Sequence, residues 1–432
     1  MYTTYVIYAL CIGLLLWGGK FAGFGKEKFH EDPFSLETAK SLRGFAAIGV
    51  ILHHISQEDA FQYANMANGY GKPGELSIFV NAGFLFVAIF FFCSGFGLIK
   101  SLEAKPDYFN GFIKKRVVKT LVIPYYVSVL IYSLLRFASG ERFAPLEWVT
   151  NLTGLSMVNP YAWYPIIAAI LYIAFYLIFK NIKNRKVCYI IMAFVIIALG
   201  MIFCVNGHFT WFAGPKNWWL SQSSELQNKW WAQQKIWWLS GEWWINSCPA
   251  FLTGMLFAQF EKPIREWFKK FYWGKLLLVL VITFITFILS SYGQMRFGWW
   301  TEWSGRGPDI DRKIATYFCV IPYSIMFTVL LFTIMLKYRA VNPVSRFFGN
   351  ISLETYMMNL IAITAFRFML YNNQGWPIVK AGHWNLAVYA AAVFAVTLLL
   401  AFIYKLCNRL VLKLFDRPKK VTEKNKVQNE TV

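Results

Sequence analysis

The stretch Ser41–Gln57 reads SLRGFAAIGVILHHISQ, an apolar run with an arginine near its start and two histidines near its end. Arg43 and His54 are eleven residues apart, which on an α-helix is three turns plus about 20°, so their side chains face the same way roughly 16 Å apart. His53 points about 80° away from that line. A cation and a base on one face of an apolar helix are costly unless they are paired or used, so the pattern indicates a functional site.

The composition of the whole chain gives the environment of this segment. Of its 432 residues 57% are hydrophobic and only 15% charged, and apolar runs of about 20 residues recur along the chain, as in integral membrane proteins. Each run ends where a charged or Gly/Pro-containing stretch begins. The predicted fold is therefore an all-α, polytopic membrane protein with about eleven transmembrane helices. The predicted spans are 4–19, 43–57, 77–99, 118–137, 161–180, 187–205, 244–260, 275–291, 315–336, 351–371 and 385–408.

The basic residues give the expected orientation. Most of the 43 Lys and Arg residues lie in alternate connections between the spans and in the tail, and by the positive-inside rule these segments are cytoplasmic. The amino terminus is then outside and the carboxyl terminus cytoplasmic. The net charge of +21 follows from orientation and from attraction to anionic lipid headgroups, so membrane lipids, and not nucleic acid, are the expected partners.

The chain divides into three expected parts. Residues 1–34 form an extra transmembrane helix and a cytoplasmic loop. This helix lacks a basic n-region and an Ala-x-Ala-like cleavage site, so a retained anchor is expected instead of a cleaved signal. Residues 35–412 form the main membrane domain. Residues 413–432 are polar and basic and are expected to be a disordered cytoplasmic tail.

Cysteine usage and the lack of internal repeats narrow the class of protein. The seven cysteines lie in or at the ends of apolar segments without Cys-x-x-Cys spacing, so the sequence predicts neither a disulfide nor a metal site. The two halves show no matching Gly/Pro-broken helices, which counts weakly against an inverted-repeat transporter.

The third span ends in FFFCSGFGLIK, residues 90–100. Ser94 and Gly95 interrupt an aromatic run there. Small residues allow helices to pack closely, so this pair either serves packing or shapes a substrate channel.

A basic segment precedes the fourth span. Residues 112–126 read FIKKRVVKTLVIPYY, with Arg116 and Lys119 at positions i and i+3 of an expected helix. Basic residues at such a place are usually topology signals. Two cations on one face would also suit a ligand with several phosphates, such as coenzyme A.

The tenth span carries a carboxylate inside an apolar segment. Residues 349–368 read GNISLETYMMNLIAITAFRF, with Glu354 near the start. An intramembrane glutamate is rare unless it is paired or working. Arg43, expected at the same depth, is its predicted partner, and both a structural ion pair and a catalytic role stay open.

Tryptophan is concentrated on the predicted outer side, which holds 16 of the 19. An aromatic belt would populate both interfaces, so a belt alone does not explain the bias. Flat indoles there could stack on sugar rings while acidic side chains bond hydroxyls; a tryptophan-rich re-entrant loop packed on the membrane is the alternative. The candidate acceptor-binding residues are Trp218, Trp219, Trp299, Trp300 and Glu302.

These motifs together resemble the acyltransferase type 3 family, which includes bacterial O-antigen and peptidoglycan O-acetyltransferases. The likeness rests on Arg43-Gly44 followed eleven residues after the arginine by His54, on FFFCSGF, on the basic segment leading to Pro124-Tyr125, and on SLETYMMN. It covers residues 36–410 in matching order, and the first motif is the most specific.

The resemblance implies a ten-helix membrane enzyme, to which the helix at 4–19 is an addition. It implies transfer of an acyl group, usually acetyl, from cytoplasmic acyl-coenzyme A to a hydroxyl of an extracytoplasmic glycan or glycolipid, in a bacterial inner or plasma membrane and without a metal. One departure is Asn359, which stands where many relatives complete a Tyr-x-x-His pattern, and this puts a proton-transfer role at that position in doubt. The expected catalytic residues are His54, Arg43 and Glu354, and the expected donor-binding residues are Arg43, Arg116, Lys119 and Ser94.

The chemistry follows from the residue types. A neutral histidine within hydrogen-bond reach can take the proton of an acceptor hydroxyl as it attacks a thioester carbonyl. Arg43 could hold a phosphate, orient the thioester or stabilise the oxyanion, and the sequence does not rank these. A transporter or flippase for an anionic or lipid-linked substrate, and a membrane scaffold or sensor, remain the competing classes. The acceptor, the acyl chain, the oligomeric state and the choice between direct transfer and an acyl-histidine intermediate stay open.

Overall fold

The computed structural model describes residues 2–25, 28–66, 76–143, 145–155, 157–159, 161–206, 243–298, 310–370 and 385–415. Most of these residues are helical. A π-helical segment, Ile113–Val122, runs directly into the helix Ile123–Ala138, and a 3-10 turn, Arg367–Met369, follows the helix Ser352–Ala365. In chain order the described α-helices are α1 Tyr2–Leu16, α2 Leu36–Met66, α3 Ser77–Ala104, α4 Ile123–Ala138, α5 Pro145–Thr153, α6 Trp163–Asn181, α7 Arg185–Asn206, α8 Trp243–Ser247, α9 Pro249–Gln259, α10 Glu261–Lys269, α11 Tyr272–Arg296, α12 Ile310–Met335, α13 Pro343–Asn350, α14 Ser352–Ala365 and α15 Asn385–Phe415.

Seven segments of the described chain are long and apolar enough to cross a membrane. All seven coincide with predicted spans, which confirms a polytopic, all-α membrane protein. The segments are Ala82–Ala104, Ile113–Ala138, Trp163–Asn181, Arg185–Cys204, Tyr272–Arg296, Ile310–Met335 and Leu386–Phe415.

The other four predicted spans are also helical but differ in length from the prediction. The first, α1, ends at Leu16 after 15 residues, and the predicted span 43–57 lies inside α2, which has 31 residues. The span 244–260 is divided between α8 and α9, which meet at Cys248, and the span 351–371 is shortened because α14 ends at Ala365. The total of eleven crossings therefore stays a prediction.

A two-stranded antiparallel ribbon interrupts the all-α pattern in the described chain. Its strands are β1, Gly19–Phe21, and β2, Tyr338–Ala340, with Lys20 opposite Arg339. Gly18 precedes β1 with φ of +68°, a conformation that favours glycine. The ribbon joins the end of α1 to the chain that follows α12.

Lys337, directly before β2, fixes the loop after β1. It is 1% exposed, and its Nζ donates hydrogen bonds to the carbonyls of Gly23, Gly25 and Lys28 at 2.9, 2.8 and 2.8 Å. The ammonium also lies 4.3 Å from the ring centroid of Phe29, within cation–π range. All three N–H donors of the buried cation are used, so its burial is compensated.

Glycines at two helix crossings position the centre of the fold. A Cβ on Gly95 of α3 would collide with the carbonyl of Phe251 in α9. A Cβ on Gly44 of α2 would collide with the carbonyl of Ser345 in α13, and one on Gly349 with that of Lys40. The glycines of both the Arg-Gly and the Ser-Gly motifs therefore serve close packing.

Helices α2 and α14 run side by side in the same direction. Gly349, just before α14, lies against Lys40, Asn359 is hydrogen-bonded to His54, and Arg367 is paired with Glu58. Because position advances together along both helices, a residue earlier in α14 lies nearer the Arg43 end of α2. This arrangement gives the site an axis from Arg43 to His54.

Candidate active site

His54 lies inside the protein and is held from two sides. Its side chain is 6% exposed, and its Nδ1 is 3.2 Å from Oδ1 of Asn359. An amide oxygen can only accept, so Nδ1 carries the hydrogen and the lone pair of the neutral ring is on Nε2. The imidazole stacks on Tyr161, with 3.8 Å between ring centroids and 7° between ring planes. The contacts thus orient a ring whose Nε2 can act as a base.

His53 has a different environment. Its Nδ1 is 2.9 Å from the carbonyl oxygen of Phe79 in α3. A Cβ on Gly83 would collide with its ring. His53 therefore joins α2 to α3 and is engaged in packing.

Tyr161 is itself held in place by Asn159, and no motif in the sequence indicates this contact. Asn159 is 1% exposed; its Oδ1 accepts from the backbone N–H of Tyr161 at 3.0 Å, and its Nδ2 donates to the carbonyl of Met357 at 3.0 Å. Because Met357 belongs to α14, the segment that carries Tyr161 is bonded to the helix that carries Asn359. The two groups against His54 are thereby held together.

At the other end of the axis, three of the four predicted donor-binding residues converge, namely Arg43, Ser94 and Arg116. Arg43 has Tyr164 and Tyr172 as electrostatic neighbours, and the hydroxyls of both tyrosines lie beside Ser94. Arg116 is exposed and interacts with Tyr172 as well. Three motifs that are far apart in the chain thus meet around the phenol of Tyr172.

Arg43 keeps donor capacity at this place. Its Nε is buried without a hydrogen-bond partner in the described part of the chain. A guanidinium offers five N–H donors and suits anionic oxygens. The region around Arg43 can therefore receive a phosphate or a polarised carbonyl.

Lys119 does not share a face with Arg116, contrary to expectation. The segment that holds both residues is a π-helix, whose hydrogen bonds join residues five apart, as in the bond from Ile123 N–H to Val118 O. Its turn is wider than that of an α-helix, so residues at i and i+3 no longer lie above one another. Lys119 is half-buried.

Glu354 is also placed differently from the prediction. Its electrostatic neighbours are Lys405 and Arg409 of α15, and Arg43 is not among them. Asn359 follows five residues later, about 140° further around α14, and it is this face that meets α2. The expected ion pair between Glu354 and Arg43 is therefore wrong, because the carboxylate faces a different helix.

Aromatic side chains fill the region between the two ends of the axis. The ring of Tyr164 lies 5.1 Å from that of Phe91 and 5.8 Å from that of Tyr356, measured between centroids. Tyr356 in turn has Tyr161 as an electrostatic neighbour. A tyrosine-lined path therefore leads from the neighbours of Arg43 to the residue stacked on His54.

An ion pair lies one turn beyond the histidine. Glu58 is four residues after His54 on α2, and its Oε1 is 2.5 Å from Nη2 of Arg367. Both side chains are partly exposed, at 16% and 39%. No local pattern in the sequence indicates this pairing, because its two members are 309 residues apart.

Of the described residues, no set of three His, Cys, Asp or Glu side chains is positioned to hold a metal, and all seven cysteines are free thiols. The candidate acceptor-binding residues Trp218, Trp219, Trp299, Trp300 and Glu302 lie outside the described residues.

The fold and the site define a class. The protein is a multi-pass membrane protein in which a buried histidine and a half-buried arginine lie on one helix inside the bundle. The acyltransferase domain of the acyltransferase type 3 family matches residues 40–406, and the chain belongs to this family. The protein is therefore a membrane acyltransferase, and the resemblance inferred from the sequence motifs is confirmed. No curated protein and no solved structure matches the chain.

Proposed function

We propose that the protein transfers an acyl group, and acetyl in particular, from cytoplasmic acyl-coenzyme A to a hydroxyl of an extracytoplasmic glycan or glycolipid. In this proposal His54 is the general base. The observation that carries the proposal is the hydrogen bond from His54 Nδ1 to Asn359 Oδ1 at 3.2 Å. It fixes the tautomer in which Nε2 is free to accept a proton. A base of this kind is what attack by a weakly nucleophilic hydroxyl requires.

The reaction can be written with this one base. Nε2 of His54 takes the proton of the acceptor hydroxyl while the hydroxyl oxygen bonds to the thioester carbonyl carbon. The carbon–sulfur bond then breaks, and the leaving thiolate accepts this proton from the imidazolium, which returns His54 to its neutral form. Asn359 stays bonded to Nδ1 throughout, so the ring keeps its orientation.

Arg43 and Arg116 are the proposed donor-side cations. Both are near Tyr172, and Arg43 retains a buried Nε without a partner in the described chain. Phosphates of coenzyme A are anionic oxygens of the kind that guanidinium groups bind. With the Arg43 end on the cytoplasmic side, the acyl group would travel along the tyrosine-lined path to His54.

The acceptor side would lie at the other end of the axis. Glu58 and Arg367 are the described polar groups one turn beyond His54, and the proposed sugar-stacking residues Trp218, Trp219, Trp299 and Trp300 belong to the same predicted outer side. A glycan acceptor is proposed because carboxylate, guanidinium and indole together suit a polyhydroxylated ring.

The test is acyl transfer by the full chain in proteoliposomes supplied with labelled acetyl-coenzyme A and an envelope glycolipid fraction. His54→Ala is expected to abolish transfer. His53→Ala is the matched control, since the described hydrogen bonds of His53 are to backbone groups of α3, and it should retain much of the activity. Equal transfer by the wild type and His54→Ala would refute the proposal, and mass spectrometry of the product identifies the acyl group and the acceptor.

A further inference from the structure

One buried phenol near the proposed reaction centre has no acceptor for its O–H among the described residues. Tyr356 is 5% exposed, and in the described part of the chain its O–H donates to no acceptor, although its oxygen interacts with the backbone N–H of Tyr164. Other buried tyrosines donate to backbone carbonyls: Tyr132 to Met357 at 3.0 Å, Tyr404 to Pro124 at 2.6 Å, and Tyr317 to Ile196 at 3.4 Å. A buried phenol without an acceptor is costly, so Tyr356 calls for a reason beyond packing.

The position of Tyr356 suggests that reason. It precedes Asn359 by three residues on α14, so it lies on a neighbouring part of the same face and about 4.5 Å nearer the Arg43 end. Its ring packs against Trp163 and Tyr164, at 6.3 and 5.8 Å between centroids, and Tyr164 is a neighbour of Arg43. The phenol is therefore between the cations proposed to hold the donor and the histidine proposed to activate the acceptor.

We infer that Tyr356 donates a hydrogen bond to the carbonyl oxygen of the acyl group during transfer. This role rests on the proposed function. When the acceptor oxygen bonds to the carbonyl carbon, the carbonyl oxygen gains negative charge until the carbon–sulfur bond breaks. The phenol keeps its proton and stabilises that charge, in a site where donors already in place need no reorganisation. The acyl oxygen is then the acceptor that the hydroxyl lacks in the unliganded protein.

The decisive variant is Tyr356→Phe, which removes one oxygen from the ring. Loss of a single oxyanion donor typically lowers kcat by roughly 10²–10³-fold, and we expect a loss of that order with little change in KM for acyl-coenzyme A. Because the O–H donates to no acceptor in the described chain, the variant should also keep about the heat stability of the wild type. Tyr317→Phe is the matched control: it removes a bonded hydroxyl remote from the site, so stability should fall and kcat should stay.

A pair of donor analogues adds a readout that does not depend on turnover. A ketone analogue, with a methylene in place of the thioester sulfur, keeps the carbonyl, whereas S-ethyl-coenzyme A lacks it. Tyr356→Phe should weaken binding of the ketone analogue relative to the wild type and leave binding of S-ethyl-coenzyme A unchanged.

Three results bear on the inference. Tyr356→Phe with kcat within about twofold of the wild type, alongside inactive His54→Ala, would overturn the role of Tyr356 and leave the proposed function standing. Equal weakening of both analogues would overturn it too, since the phenol would then act on the whole donor. A wild type that consumes no acyl-coenzyme A would overturn the proposed function and this role with it.

Discussion

Replacing Asn359 with leucine tests the geometry around His54 directly. The amide oxygen lies 3.2 Å from His54 Nδ1, and leucine has the same branched skeleton of heavy atoms but no acceptor. A net hydrogen bond of about 0.5–1.5 kcal/mol corresponds to a roughly two- to tenfold bias between the two tautomers. Without it the Nε2-basic form is less populated, and the ring keeps its stacking contact with Tyr161 but loses its hydrogen bond. We expect kcat to fall roughly three- to thirtyfold, with KM for the acyl donor unchanged.

The stability of Asn359→Leu should change little, which separates a catalytic effect from misfolding. The substitution leaves the His54 N–H without its acceptor, which costs about 1–3 kcal/mol. It also removes the amide nitrogen of Asn359, which is buried without a partner in the described chain and carries a penalty of the same order. The two terms oppose each other, so the melting temperature should move by only a few degrees.

Asn408→Leu is the matched control, because it makes the same change at a buried asparagine of α15 that is not in contact with His54. It should keep the wild-type kcat. Asn359→His supplies a ring nitrogen that can accept from Nδ1 and should recover part of the loss. Acyl transfer in proteoliposomes with purified, monodisperse variants measures all three. Wild-type kcat in Asn359→Leu, or no advantage of histidine over leucine, would refute the reasoning.

Two further predictions concern packing and the buried lysine, and each has a control in the same chain. Gly44→Ala would drive a Cβ into the carbonyl of Ser345 and should destabilise the protein by about 1–3 kcal/mol. The control Gly97→Ala meets no atom within 4 Å and should be neutral or slightly stabilising. Thermal unfolding in detergent compares the two variants, and equal melting temperatures would contradict the close crossing of α2 and α13. Lys337→Met removes three hydrogen bonds and should lower the free energy of unfolding by about 2–4 kcal/mol. The control Lys20→Met, at an exposed lysine, should stay within about 0.5 kcal/mol of the wild type. If the two variants are equally stable, the loop after β1 does not depend on the Lys337 cation.

The spans were predictable because hydropathy is a local property of the sequence. Seven of the predicted spans coincide with apolar helices of the structure, and each is defined by its own residues. The predicted span 43–57 is shorter than helix α2, because that helix continues through polar residues on both sides, to Leu36 and Met66. Hydropathy marks where a chain can cross lipid, and it does not mark where a helix ends.

Contacts between distant segments were not predictable in the same way. The three-residue strands β1 and β2 pair across the chain, Gly19 with Ala340, and neither is long enough to show an alternating pattern. Likewise, nothing local to Asn159 indicates that its amide bonds the carbonyl of Met357, 198 residues away. Such contacts depend on which helices become neighbours, and that is decided by the packing of the whole bundle.

In the candidate site, the sequence predicts the positions of some residues correctly and the position of Glu354 wrongly. Helical spacing predicts that Arg43 and His54 lie on one helix, and they do. The motifs that contain Ser94 and Arg116 were predicted to bind the same donor as Arg43, and in the structure all three residues are neighbours of Tyr172. Spacing failed for Glu354, whose proposed pairing depended on depth alone. Depth is set by sequence position along a helix, whereas the direction of a side chain depends on how that helix is rotated against its neighbours. The carboxylate is turned to α15 and its basic residues.

Asn359 allows the departure from the Tyr-x-x-His pattern to be interpreted. Asparagine cannot exchange a proton at physiological pH, so an asparagine here is incompatible with any mechanism in which this position carries a proton. It is compatible with one in which the position supplies an acceptor to His54 Nδ1, because an amide oxygen and an imidazole nitrogen both accept. The geometry at 3.2 Å favours the second requirement. If position 359 has to supply an acceptor to His54 Nδ1, glutamine and histidine should each support more activity than leucine there. If it has to transfer a proton, histidine alone should do so.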